Sequence, residues 1–395
     1  MEKKQRGKLK FFLVMLVAVI FGTSFFTDLS IPELFEAIRN REPLINRAHI
    51  DLIKGVEEKK TEIIISKSRW DTDICAWSKT NDYVMDFVQA NPHNFYVDIR
   101  NTKFSTREEG VESTIILQPA YFEELCNETA RQKLEIAANE IIQTIPAGVS
   151  EWEKAKFLHD AVIRRVTYEE GKYDQTAYGA LVEGKAVCMG YAMAYEYLME
   201  KAGGIECDTV LGYGDSISAG MKDAMIPLPG HAWNLIHLEE GGVSASYYVD
   251  TTWDDIGRTD TQGQDYISYR WFCTTQEDMD KENRYLDTEV LDMSQWGNLN
   301  DNRLNYYIYT NAVMEQYSYD ELVAILRRQI EEGNNFPGVR AVSAEVLFDI
   351  EYALGTQEVG QQLSRDLGID SYAYTTHKDY LGDGLHCCNI YLNLE

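Results

Sequence analysis

Short apolar runs alternate with polar turns along the chain and predict an α+β protein. Glu62–Ser66 is apolar enough for a buried strand, and Phe95–Phe104 and Glu112–Leu117 predict two more strands on either side of a charged turn. Glu124–Ile145 has the apolar spacing of a helix, and Pro146, which follows it, ends the pattern. Strands and helices are therefore mixed in the first third of the chain.

A second helix is predicted to begin after Ser150, because Glu153 stands three residues later and the two form a capping box. Apolar residues then recur at helical spacing as far as Val166, so one face of this helix is expected to be buried.

The two ends of the chain carry a similar pattern. In the N-terminal part, short helices are predicted at Leu34–Ile38, Ile45–Val56 and Tyr83–Ala90. The predicted C-terminal elements are a strand at Tyr306–Tyr309, helices at Tyr319–Ile330 and Ala344–Leu354, and strands at Tyr372–His377 and Asn389–Leu394. A strand–helix–strand–strand order on both sides indicates either an internal repeat or the usual succession of elements in small α+β units.

With 395 residues, the chain is long enough for several units. We predict a signal peptide or membrane anchor over residues 1–30, a tether and N-terminal α+β module over 31–126, a core over 127–290 and a C-terminal α+β module over 291–395.

His231–Leu238 and Ser246–Trp253 both resemble strands, and two acidic residues followed by Gly241-Gly242 join them as in a hairpin. With a four-residue loop, His231 lies directly opposite Asp250; with a two-residue Gly241-Gly242 loop the pairing shifts by two residues. Side chains alternate between the faces of a strand, so both registers leave His231 and Asp250 on one face.

A thiol precedes this pair in the string GKAVCMGYA, where a turn leads into a predicted helix. Cys188 is expected near the N-terminus of that helix, where backbone N–H groups favour a thiolate and a developing oxyanion. Asp250 would orient His231 and leave the other ring nitrogen free to interact with Cys188. A thiol, an imidazole and a carboxylate in this arrangement can carry out nucleophilic attack on a carbonyl group.

GKAVCMGYA, GHAWN and VDTTWDD together resemble the core of the transglutaminase-like superfamily, which has a papain-like arrangement of Cys, His and Asp. The resemblance covers about Glu151–Asp287. It implies Cys188 as the nucleophile, His231 as the base and Asp250 as the residue that orients it. The residues implied to line or support the site are Trp233, Trp253, Gln175 and Tyr178, of which the last two are alternatives for a second oxyanion donor. Where family members often carry a further histidine, this chain has the charged stretch Asp280–Arg284, in which acidic and basic residues balance.

The net charge of −27 opposes binding to nucleic acids and would attract basic or lysine-containing partners, although solubility alone also explains it. Five basic residues before residue 11 and an apolar run after it predict an export signal or an uncleaved anchor over residues 11–29. We therefore expect an extracytoplasmic protein, secreted or held at the membrane by its N-terminus.

The seven cysteines lack the spacing of a metal site, so neither a metal nor another cofactor is expected, and six of them are candidates for disulfides or buried thiols. The predicted function is an exported thiol enzyme that cross-links, deamidates or cleaves proteins or peptides. The alternative is a catalytically silent envelope adaptor that binds protein or peptide through the same fold.

Overall fold

The computed structural model describes residues 47–66, 91–109, 112–214, 230–282, 284–286, 296–378 and 384–393. The predicted elements at Leu34–Ile38 and Tyr83–Ala90 lie outside these residues, as does the predicted export segment. The chain divides into two compact units, Met1–Ile74 with Ser105–Leu117, and Cys75–Phe104 with Gln118–Glu395. The domain boundaries predicted above stay a prediction.

The first unit contains helix α1 (Arg47–Glu57) and strand β1 (Ile63–Ser66). β1 pairs antiparallel with β3 (Glu112–Tyr121), and β3 neighbours β2 (Val97–Glu109). Leu52 and Val56 on α1 are buried together with Ile63 and Leu117, which explains why the apolar residues of Glu62–Ser66 form a strand. β2 and β3 contribute residues to both units.

The second unit is built around a five-stranded antiparallel sheet with the order β11-β8-β7-β6-β12. Its strands are β6 (Glu206–Gly214), β7 (Gly230–Glu240), β8 (Val243–Val249), β11 (Phe272–Thr274) and β12 (Arg284–Leu286). The long helices that accompany it are α2 (Glu128–Ile142), α3 (Glu151–Arg165) and α4 (Cys188–Ala202). α4 packs on β6, β7 and α3, and the side chains from Met189 to Met199 are all buried. A helix that is buried on all sides has no polar face, which is why this stretch shows little amphipathic pattern.

The second unit also contains shorter elements. They are 3₁₀ turns at Pro92–Asn94 and Glu123–Leu125, a π turn at Gly179–Glu183, β4 (Thr167–Tyr168), β5 (Lys185–Ala186), α5 (Thr251–Asp254), β9 (Asp255–Thr259), β10 (Asp265–Ile267) and α6 (Gln276–Lys281). β4 pairs in parallel with β5, and β9 pairs antiparallel with β10.

The C-terminal part has a four-stranded sheet with the order β13-β14-β16-β15. Its elements are α7 (Tyr306–Tyr309), β13 (Val313–Met314), α8 (Tyr319–Glu331), β14 (Gly338–Ala341), α9 (Ala344–Leu354), α10 (Gln357–Leu367), β15 (Ser371–His377) and β16 (His386–Asn393). The predicted strand at Tyr306–Tyr309 was wrong, because Asn305 caps a helical turn there by accepting from the N–H of Tyr307. The predicted helices at Tyr319–Ile330 and Ala344–Leu354 are confirmed.

The α+β fold class is confirmed, and so is the capping box of α3. Ser150 Oγ accepts from the Glu153 N–H at 3.2 Å, and Glu153 Oε2 accepts from the Ser150 N–H at 2.8 Å. Each side chain thus satisfies one of the N–H groups that a helix start leaves without a partner.

The central hairpin has the two-residue loop. Asn234 pairs with Val249 and Glu240 with Val243, while Gly241 and Gly242 both have positive φ, as the tight turn requires. The predicted strand at Ser246–Trp253 was too long, since β8 ends at Val249 and a helical turn follows.

Gly190 makes a close approach that no larger residue permits. A Cβ atom at this position would lie 2.3 Å from the carbonyl oxygen of Asp174 and 2.7 Å from the Cβ atom of Ala186. The same carbonyl accepts from the N–H of Val187 at 3.0 Å and so ties the 173–175 loop to the start of α4.

Gly190→Ala is therefore expected to lower the free energy of unfolding by about 2 kcal/mol, because the clash falls on backbone that cannot move away cheaply. Denaturant-induced unfolding measures the change. Gly171→Ala is the control, since a Cβ atom there meets nothing within 4 Å. Equal stability of the two variants would contradict the predicted clash.

Candidate active site

Three elements bring Cys188, His231 and Asp250 together. Cys188 is the first residue of α4, His231 is the second residue of β7, and Asp250 follows β8 directly as the N-cap of α5. The Cys188 thiol hydrogen-bonds the imidazole of His231 and also the backbone of Ala232. His231 Nε2 lies 2.7 Å from Asp250 Oδ2, so Nδ1 is the nitrogen left for the thiol.

The Asp250 carboxylate is buried and accepts from four groups. Oδ1 accepts the backbone N–H groups of Thr252 and Trp253, at 3.1 and 3.0 Å. Oδ2 contacts His231 and also Arg284 Nη1, which is 2.6 Å away. The two backbone bonds turn the chain out of the strand, and the two side-chain bonds hold the negative charge.

These contacts oppose the desolvation that burial imposes on each charged group. Burial raises the pKa of Asp250, but the charges of His231 and Arg284 and their hydrogen bonds hold it well below its usual range. Burial lowers the pKa of His231, but Asp250 outweighs that effect and raises the pKa to about 9. For Cys188, burial acts to raise the pKa, and the hydrogen bond and charge of His231 bring it below the ordinary thiol value. The geometry thus favours a thiolate paired with an imidazolium.

Other thiols of the second unit are in the opposite situation. Burial raises the pKa of Cys207 and Cys273 well above the ordinary value, and it also raises the pKa of Cys387 and Cys388. All four are buried free thiols, whereas Cys188 is half-buried. Cys75 lies outside the described residues.

Two tryptophans contact the imidazole. The Trp233 ring centroid is 5.5 Å from that of His231, and Trp253 stands edge-on to it at 5.9 Å. Trp233 is buried and supports the ring, whereas Trp253 is 39% exposed and can also meet a ligand. Both tryptophans predicted from the sequence thus lie at the site.

The two candidates for a second oxyanion donor are placed differently. Tyr178 is buried, stacked on Phe95 at 6.0 Å and edge-on to Tyr173 at 5.8 Å, so it is a packing residue. Gln175 is half-buried and follows Asp174. The backbone carbonyl of Asp174 accepts a hydrogen bond from the N–H of Val187, the residue before Cys188. No contact assigns Gln175 an oxyanion role.

Residues 137–249 match the family model of the transglutaminase-like superfamily. This segment is a transglutaminase-like domain. The match includes Cys188 and His231 and ends one residue before Asp250, so the aspartate and Arg284 lie beyond it.

No curated protein matches the chain. Among solved structures, a candidate protease from Parabacteroides distasonis is similar at 10% identity and a TM-score of 0.21, over 38% of this chain and 39% of that one. Menin, in a crystal structure that reveals its binding site for the Mixed Lineage Leukemia protein, is similar at 15% identity and a TM-score of 0.25, over 61% of this chain and 52% of that one. The chain spans less than two thirds of either structure, and at these TM-scores neither likeness bears on fold or function.

The sequence did not point to three residues at the transglutaminase-like site. Arg284 forms an ion pair with Asp250, and its guanidinium carbon lies 3.8 Å from the ring centre of Trp271. Tyr168 is 57% exposed and lies close enough to Cys188 for the charge of the thiolate to raise its pKa. Tyr168 pairs with Ala186, two residues before Cys188, which places it beside the thiol. Arg284 stands in the charged stretch where family members often carry a histidine, but no periodic pattern in the sequence indicates its burial.

A second buried network lies behind the site. His159 Nδ1 is 3.0 Å from Asp160 and Nε2 is 3.2 Å from Asp254, which also accepts from the Trp271 N–H. Burial lowers the pKa of His159, but the two carboxylates outweigh it and raise the pKa. This histidine is structural, because it joins α3 to α5.

Within the described ranges, no group of three His, Cys, Asp or Glu side chains is arranged to hold a metal ion. The helices of the same part of the chain are all too short or too polar to cross a membrane. The predicted anchor over residues 11–29 lies outside it.

Cys188 is expected to react with iodoacetamide at pH 6 about tenfold faster, or more, than the same thiol in His231→Asn, because the imidazolium of His231 favours the thiolate. Since the pKa of His231 is raised to about 9, the imidazolium, and with it the enhancement, is present below that pH and is lost above it. Peptide mapping by mass spectrometry gives the rate for each thiol.

Two controls accompany this measurement. His237→Asn removes a histidine of the same strand that binds Ser246 and Ser244 instead, so Cys188 should keep its rate. Cys207 should stay unmodified in the folded protein. If Cys188 reacted no faster than Cys207 at pH 6, the ion pair would be absent.

Proposed function

We propose that this protein is a thiol enzyme that transfers or hydrolyses acyl groups at amide bonds of proteins or peptides. The observation that supports the proposal is the Cys188–His231–Asp250 arrangement within and directly beside the transglutaminase-like domain. A thiol enzyme of this kind needs a nucleophile, a proton carrier and a group that orients the carrier, and these residues have those properties.

In the proposed reaction, the Cys188 thiolate attacks the carbonyl carbon of an amide. The S–C bond forms while the carbonyl electrons move onto oxygen, where N–H groups of the first turn of α4 stabilise the oxyanion. His231 then gives its proton to the leaving nitrogen, the C–N bond breaks, and a thioester on Cys188 remains. Asp250 keeps the imidazole oriented and stabilises its charge throughout.

The second half of the reaction resolves the thioester. Neutral His231 accepts a proton from the incoming nucleophile, which forms a bond to the acyl carbon as the S–C bond breaks. A lysine amine gives a cross-link, and water gives deamidation or, when a backbone amide was attacked, proteolysis. These three routes share every residue of the site and differ in the acceptor and the bond attacked.

We further propose that the protein acts outside the cytoplasm, secreted or anchored by residues 11–29. The basic and apolar pattern of the first 29 residues supports this, because it has the order of an export signal. The net charge of −27 supports a basic or lysine-containing protein or peptide as the partner.

A peptide mixture that contains glutamine and lysine is expected to be changed by the wild-type protein and left intact by Cys188→Ser, because the serine hydroxyl is not ionised by an imidazolium. Mass spectrometry separates the routes: joined peptides that have lost one ammonia mark cross-linking, replacement of an amide by an acid marks deamidation, and shortened peptides mark proteolysis.

Ser246→Ala is the matched control, because Ser246 lies on the same hairpin as His231 and donates its hydroxyl to the backbone carbonyl of Trp296 without touching Cys188. This variant should change the peptides as the wild-type protein does. If Cys188 is alkylated rapidly but the peptides stay unchanged, the result would argue against glutamine- and lysine-containing peptides as substrates. A wild-type protein that binds peptides with an unreactive Cys188 would favour the adaptor.

A further inference from the structure

Arg284 is a buried arginine at the edge of the central sheet. It begins β12, pairs with Gly214 on β6, and has only 1% of its surface exposed. An arginine stays charged even when it is buried, so it needs a counter-charge at close range. The carboxylate that supplies it is Asp250, the group that also holds His231.

Aromatic rings surround the guanidinium on its other sides. The central carbon of the group lies 3.8 Å from the ring centre of Trp271, 4.3 Å from that of Trp253 and 6.0 Å from that of Trp233. Cation–π attraction is strongest where water is excluded, as it is here. Arg284 is thus fixed by three rings and one carboxylate, and in turn it fixes both the carboxylate and Trp253.

The Asp250 Oδ2 atom serves two cations at nearly equal distance. Arg284 Nη1 is 2.6 Å away and His231 Nε2 is 2.7 Å away. The ionisable groups that face Asp250 are His231 from β7, Arg284 from β12, Cys188 from α4, Tyr168 from β4 and Asp254 from α5. With the thiolate and the imidazolium formed, Arg284 balances Asp250 and the four central charges sum to zero.

We propose that Arg284 is a positioning residue that holds Asp250 in place and sets the pH range over which Cys188 and His231 exist as an ion pair. This inference rests on the proposed function, because it concerns the same thiol. Arg284 does not touch the reacting atoms; it acts through the carboxylate.

The direction of the effect follows from charge alone. Removing one buried positive charge favours protonation of every group nearby, so the pKa of Cys188 and that of His231 both rise. The charge of Arg284 already acts to lower the pKa of His231. Without Arg284, the thiolate would form only at higher pH, and the imidazolium would persist to higher pH.

The experiment measures the alkylation rate of Cys188 by iodoacetamide against pH in wild type, Arg284→Gln and Arg284→Lys. For Arg284→Gln, we expect the pH at which the rate rises to move upward by about one pH unit. For Arg284→Lys, which keeps the charge, we expect a position within about 0.3 pH unit of wild type at a lower stability.

Arg270→Gln is the matched control. Arg270 is also buried and lies over Trp271, at 4.8 Å, but its partner is Glu282 at 2.7 Å. Its loss should lower the thermal stability and leave the pH profile of Cys188 in place. A purely structural role of Arg284 would likewise change stability or the rate at all pH values without shifting the profile.

The outcomes separate this inference from the proposed function. A wild-type Cys188 without enhanced reactivity at pH 6 sinks the proposed function itself. A reactive wild type whose profile does not move in Arg284→Gln, or moves equally in Arg270→Gln, overturns the role of Arg284. Arg284→Met replaces the Gln variant if that does not fold; if Arg270→Gln folds while no neutral residue is tolerated at 284, the role is structural and the proposal fails.

Discussion

The Asp250 carboxylate sits where a strand, a helical turn and an edge strand meet, and each of them donates to it. Two backbone N–H groups bind Oδ1, and His231 and Arg284 share Oδ2. A buried carboxylate is costly unless all its acceptor positions are used, and here they are. One side chain therefore ends β8, starts α5, orients the imidazole and neutralises an arginine.

The thiol depends on a different kind of constraint, which is steric. α4 must begin at Cys188 and lie against the loop that contains Asp174, and this contact leaves no room for a Cβ atom at residue 190. The hairpin brings His231 to the same place from the other side, with Gly241 and Gly242 in a turn too short to allow slippage by one residue. Electrostatics at the site thus relies on backbone geometry that glycine makes possible.

Much of this arrangement could be predicted from the sequence because it depends on local pattern. The parity of two strands places His231 and Asp250 on one face in either register, and a turn followed by a helix places Cys188 at a helix start. Arg284 could not be predicted, since its burial results from three tryptophans and an aspartate that are distant in sequence. Tyr306–Tyr309 has the composition of a strand, yet a single cap at Asn305 makes it helical. Trp253 was expected in a strand and lies in a helical turn, because the carboxylate of Asp250 competes successfully for its N–H group.

The four-residue turn α5 joins two buried networks. Asp250 caps its start, and Asp254 at its end binds His159 and the backbone of Trp271. The two carboxylates bind different side chains, but the same short stretch of backbone positions both of them. Changes in the two networks should therefore not be energetically independent, as they would be for distant sites. During evolution, a substitution of His159 would also change the position of Asp250 through this turn. Which substitutions are tolerated around the turn therefore depends on those that came before them.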